Sequence, residues 1–275
     1  MFQFLEKNNM QSTTGDKFSE DKGFFDFSDY GRPFARIIAK LLVNTSIGSI
    51  TVTWLFTVVG LYAAVLIWQG KLLWLAALLL PLKSILDAVD GQLARIKNHP
   101  SYVGRYLDSV NDFFVNLAVF LAIGHLVGES YAMVLLSLIL ATLQGTVVHY
   151  YEIVKRHISQ GDKTSRIDES KKPKPYPCDN PISLAIVYNL YILIYDWQEK
   201  LIRFLDPKAY ENLPSKFLSA MSFLGLGWQL LMICIFLLLG KPILAIYYFI
   251  IPATAYMVVI IGFRRLVLQN LKSKA

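Results

Sequence analysis

The sequence predicts an all-α membrane protein of six transmembrane helices, preceded by an N-terminal amphipathic helix at the membrane interface. Three observations predict it. Of 275 residues, 55% are hydrophobic and only 17% charged, too apolar a balance for a soluble chain of this length. Six apolar runs each approach the roughly 20 residues that cover the hydrocarbon core. The Lys and Arg residues gather in alternate connections, as the positive-inside rule requires of a chain with both ends in the cytosol.

Residues 1–31 mix acidic, basic and small polar residues and read as a mobile cytosolic tail; residues 32–275 form the membrane domain. No secretory signal is visible at the start. In residues 33–43, Phe34, Ile37, Ile38, Leu41 and Leu42 share one helical face while Arg36 and Lys40 take another. That pattern suits a helix lying flat, its basic groups near lipid phosphates.

The apolar runs follow at about 46–68, 72–87, 107–127, 131–151, 217–239 and 243–263. In lipid, backbone groups must bond within their own segment, so these runs are helices. A further run at about 182–195 is short for a span and continues into Asp196, Glu199, Lys200 and Arg203. If it crosses, Arg264, Arg265, Lys272 and Lys274 lie outside. If it lies on the surface, they join the basic loops 95–105 and 155–174, and the outer turns hold only Lys71 and Lys241. The second arrangement fits the charge rule. The active region is then cytosolic, in a bacterial cell membrane or the endoplasmic reticulum. The formal net charge of +7 is spread over these loops, so the partner it suits is an anionic membrane lipid and not nucleic acid. Cys178 sits in a basic loop and Cys234 in an apolar run, so no disulfide is expected.

The chemistry-bearing stretch joins the second and third spans and reads LDAVDGQLARIKNHPSYVGRYLDSVND. Asp87 and Asp90 are three apart and Asp108 and Asp112 four apart, so each pair occupies one helix face. Gly91 and Ala94 share the face of the first pair, and Gly104 lies one turn before Asp108. An aspartate within a membrane helix costs roughly 2.5–3.5 kcal/mol on the most lenient scale, and four together repel one another. Lys83, Arg95 and Arg105 are too scattered to offset them alone. Hard divalent cations suit an all-oxygen donor set, and four carboxylates suit two Mg²⁺ or Mn²⁺ ions. Two such ions are a known arrangement for displacement at phosphorus. Four aspartates capping helix ends, or lining an ion pathway, are simpler alternatives. Neither explains the small-residue face, the arginine, or the grouping at one end of the bundle.

The run Asp87-x-x-Asp90-Gly91-x-x-Ala94-Arg95, eight residues, then Gly104-x-x-x-Asp108-x-x-x-Asp112 resembles the CDP-alcohol phosphotransferase family at every fixed position. The resemblance implies attack of an alcohol hydroxyl on a CDP-linked donor with release of CMP. It implies that Asp87, Asp90, Asp108 and Asp112 hold two metal ions and that Asp112 also acts as general base. Gly91, Ala94, Arg95 and Gly104 would line the nucleotide site, with Ser101 as a donor contact. It also implies a homodimer. CDP-diacylglycerol is the expected donor, and a CDP-choline or CDP-ethanolamine transferase acting on a lipid alcohol is the alternative. A cation-binding transporter or scaffold is the alternative of another class. The Asp108-Ser109 pair resembles relatives that use serine or inositol phosphate. Lys155, Arg156 and Arg166 are candidate contacts for a phosphorylated acceptor, though positive-inside charge accounts for them as well.

Overall fold

The computed structural model describes residues 24–159, 165–207, 209–211 and 213–272, excepting the side chains of 268–272. Of the mobile tail expected over residues 1–31, residues 1–23 lie outside the described residues, and residues 24–31 correct the expectation: they hold a 3₁₀ turn at Phe27–Asp29 and are bonded to Ser219 and Ser222. Among the described residues all regular structure is helical.

Helix α1 (Arg32–Leu42) starts with Pro33 in its first turn, where a missing N–H costs nothing. It buries Ala35 and Ala39 against α3 (Leu73–Ile96) and leaves Phe34, Ile37 and Leu41 exposed. The helix thus has an outward apolar face beside its basic residues Arg36 and Lys40.

Helices α2 (Ser49–Trp68), α3, α4 (Tyr102–Val127) and α5 (Tyr131–Ile158) form the bundle. α2 packs on both α3 and α4. It can do so closely because Gly60, Ala63 and Ala64 face the interior, with Gly60 opposite Val115 and the stem of Lys83. The hairpin turns after α2 and α4 each carry a glycine in the left-handed region, Gly70 at φ +63° and Gly128 at φ +67°, where a side chain would be strained. α3 continues through Pro81. A wide band of large apolar side chains faces outward, including Trp54, Val58 and Tyr62 on α2 and Leu135 and Ile139 on α5. Such a band suits lipid rather than water.

Past α5 the chain forms α6 (Pro181–Tyr191), a π-helical turn (Ile192–Asp196) and α7 (Trp197–Leu205) as one continuous rod. α6 packs on α4 and α7 on α5. Helix α8 (Ser215–Met221), the 3₁₀ turn Ser222–Leu224 and α9 (Leu226–Leu238) come next, then α10 (Ile243–Ile250) and α11 (Pro252–Lys272).

Four stretches are long and apolar enough to cross a membrane: Ser49–Trp68, Tyr102–Val127, Tyr131–Ile158 and Ile243–Val267. Ser215–Leu224 and Leu226–Leu238, bent by 44°, make a fifth if taken as one span. This is the architecture of a multi-pass membrane protein. The expected uninterrupted helix over 217–239 is thus broken. Gly225 adopts an extended conformation at the break (φ −70°, ψ 159°). Gly225 and Gly227 make room for the segment before α1, since a Cβ at either would strike Ser28, and Gly227 also lies close to Ser84 on α3. That segment is tied down by Phe25 N–H to Ser219 Oγ (2.9 Å), Phe27 N–H to Ser222 Oγ (2.9 Å) and stacking of Phe27 on Phe223. In α4 and α5 the charged residues cluster towards one end, whereas α3 carries Lys83 at its middle and Asp87 and Asp90 beyond it.

Candidate metal centre and active site

α3 and α4 place the aspartates in two rungs, three in the first and Asp112 alone in the second. Asp87, Asp90 and Asp108 form the first. Each offers a carboxylate oxygen, and these atoms lie within 4.8 Å of one another. Asp90 is buried, Asp87 and Asp108 half-buried. Asp108 Oδ1 is buried and accepts no hydrogen bond from any donor among the described residues. A buried anionic oxygen without a donor is costly. An all-oxygen donor set with such an atom fits a hard divalent cation.

Asp90 is held from α2. Thr53 Oγ1 donates to Asp90 Oδ2 at 2.7 Å, and Asn111 Nδ2 donates to Thr57 Oγ1 at 3.0 Å one turn along. Three helices thus fix the carboxylates. Thr53 and Thr57 lie four apart in a helix otherwise rich in apolar residues, a signal that the motif alone does not include.

Asp112 forms the second rung, one turn further along α4 than Asp108. It is joined to Lys83 in an ion pair rather than grouped with the other three. Lys83 stands four residues before Asp87 on α3. It is fully buried, with Nζ 4.5 Å from the centre of the Phe56 ring.

The residues expected at the nucleotide site, Gly91, Ala94, Arg95, Ser101 and Gly104, are all half-buried, on α3 after Asp90 and at the start of α4 before Asp108. The Arg95 guanidinium folds back over Gly91, where a Cβ would lie 3.4 Å from Nη1. Ser101 is the N-cap of α4: its Oγ accepts from Gly104 N–H (2.9 Å) and donates to Asp179 Oδ1 (2.6 Å). Asp179 also accepts from the N–H groups of Tyr102 (2.9 Å), Val103 (3.3 Å) and Tyr176 (3.1 Å). It satisfies donors that a helix start leaves open.

The basic residues distribute differently. Arg105 turns from the aspartates to the fully buried Glu169 (2.6 Å). Arg156 pairs with Glu152 (2.9 Å), and Arg166 bonds the carbonyls of Lys171 and Asp168. The contacts of Arg156 and Arg166 thus tie down their own segments.

The family model of CDP-alcohol phosphatidyltransferases matches residues 46–261, from just before α2 to the middle of α11. The chain belongs to the CDP-alcohol phosphatidyltransferase family. It is therefore an enzyme of that family, a transferase of phospholipid synthesis with a CDP-linked donor and an alcohol acceptor. No curated protein matches the chain.

Sequence reasoning missed Thr53, Asp179 and Tyr195. Tyr195, on the π-helical turn, donates its hydroxyl to the Ser109 carbonyl at 2.9 Å, between Asp108 and Asp112 on α4. π-helical turns are frequent at functional sites.

Proposed function

We propose that this transferase moves a phosphatidyl group from CDP-diacylglycerol to a soluble alcohol and releases CMP. The observation that carries this reading is the meeting of the Asp87, Asp90 and Asp108 carboxylates within 4.8 Å at the mouth of an apolar bundle. Charge gathered at a membrane edge suits a substrate with a diphosphate head and a lipid tail.

During turnover Asp87, Asp90, Asp108 and Asp112 hold two Mg²⁺ or Mn²⁺ ions. When bound, these neutralise the diphosphate and the departing CMP. Arg95, Gly91, Ala94 and Gly104 receive the nucleotide end, and Ser101 contacts the donor. Asp112 takes the proton of the acceptor hydroxyl as its oxygen bonds to the lipid-side phosphorus. The P–O bond to CMP breaks, and CMP leaves with the electron pair. α3 completes six membrane crossings, because its charged residues face the bundle interior while Leu78 and Leu82 face outward. The positive-inside charge supports a cytosolic mouth. The working unit is a homodimer.

The test is CMP release by purified protein with Mg²⁺, using CDP-diacylglycerol or CDP-choline and a panel of alcohols, with lipid products read by mass spectrometry. Turnover with CDP-diacylglycerol, abolished by Asp112→Asn in a protein that still elutes as a single species, is expected. Turnover with CDP-choline alone overturns the donor assignment, and turnover retained in Asp112→Asn overturns the base.

A further inference from the structure

Lys83 is the feature that the family motif does not contain and the site geometry requires. Its aliphatic stem threads past Gly60, where a Cβ on α2 would lie 3.4 Å from Lys83 Cγ. Its ammonium sits 4.5 Å from the Phe56 ring centre and pairs with Asp112 on α4. No part of the side chain reaches solvent. A buried ammonium is tolerated only where fixed negative charge surrounds it.

We infer that Lys83 stands in for a divalent ion in the resting site. Seated on Asp112, it confines tight ion binding to Asp87, Asp90 and Asp108 until the diphosphate arrives. The inference rests on the metal-dependent reading proposed above and deepens it. Its basis is where positive charge already lies. Asp87, Asp90 and Asp108 have oxygens grouped closely enough to share one ion, whereas Asp112 already has a cation on Oδ1. One divalent ion and the ammonium come close to neutralising the four carboxylates. A second divalent ion overshoots unless an anion enters with it, and the donor's diphosphate is that anion. Lys83 also fixes the Asp112 carboxylate at one oxygen, which leaves the other to face the acceptor hydroxyl.

The experiment counts Mn²⁺ bound per chain to detergent-purified full-length protein, without nucleotide, from the electron paramagnetic resonance signal of free Mn²⁺. Wild type is expected to bind one Mn²⁺ tightly, with any second at least about tenfold weaker, as expected for a cation entering beside a fixed positive charge. Lys83→Met keeps the stem and removes the charge, and is expected to bind two of comparable affinity. Lys83→Arg keeps the charge and is expected to bind one. Two equivalent Mn²⁺ ions in wild type, or a Lys83→Met count unchanged from wild type, overturns the role of Lys83 and leaves the metal site standing. No Mn²⁺ bound to wild type overturns the metal site itself. Should Lys83→Met lose its single elution peak, wild type and Lys83→Arg decide alone: one ion each supports the inference, two overturns it.

Discussion

Thr53→Val isolates the contribution of α2 to the metal centre. Valine keeps the branched shape at Cβ and removes one hydroxyl. That hydroxyl lies 2.7 Å from Asp90 Oδ2 and 3.1 Å from the Ser49 carbonyl. It has a single proton, and the shorter contact to a charged acceptor takes it. A hydrogen bond to a charged group is worth about 1.5–3 kcal/mol, which converts to roughly 10- to 100-fold in an equilibrium constant. Loss of a partner that orients a metal ligand costs the same range in metal affinity. Mn²⁺ affinity of the purified variant should therefore fall by that factor, with CMP release at saturating metal largely retained. Thr57→Val is the control: its hydroxyl accepts from Asn111 and meets none of the four aspartates. Unchanged Mn²⁺ affinity in Thr53→Val, or an equal loss in Thr57→Val, refutes the reasoning that Thr53 orients a ligand.

Arg264→Met strips the buried Asp206 of its cation, now bonded at 2.9 Å with both side chains 3% exposed. It should cost about 3–5 kcal/mol, read as a lowered melting temperature by fluorescence-detected size exclusion, and Asp206→Leu on the same chain should recover much of it. Asp179→Ala removes the acceptor of three N–H groups and the Ser101 hydroxyl. A loss of about 1–2 kcal/mol, with faster proteolysis of the 165–180 loop, is expected. Burial pushes the Glu199 carboxyl on α7 up to about 7, from an ordinary value of 4.5. A raised acid favours folding fully below its unfolded value, and the benefit is lost as pH rises through 7. Wild type should therefore be less stable at pH 8 than at pH 6, and Glu199→Gln should flatten that difference; a flat wild-type profile contradicts it.

Much of this was legible from local spacing. Periodicities of three and four residues put Asp87 with Asp90 and Asp108 with Asp112 on shared faces, and the bundle joins those faces. Apolar length marked the long helices. What spacing could not carry was register between helices. Lys83 and Asp87 are four apart, so both point to the site. That Lys83 meets Asp112 depends on how α3 slides against α4. Arg105 lies three residues before Asp108, yet it is drawn aside by Glu169, 64 positions later in the chain. Asp179 caps α4 from a loop 77 residues distant. At the break, Gly225 and Gly227 lie against Ser28, a contact between residues about 200 positions apart that no local pattern announces.

The most direct measurement is anomalous diffraction from Mn²⁺-loaded crystals of the wild-type protein. A manganese peak bounded by the carboxylates of Asp87, Asp90 and Asp108, and lost in Asp108→Asn, is the predicted result. Manganese bound elsewhere, with those three carboxylates turned to different neighbours, contradicts the account.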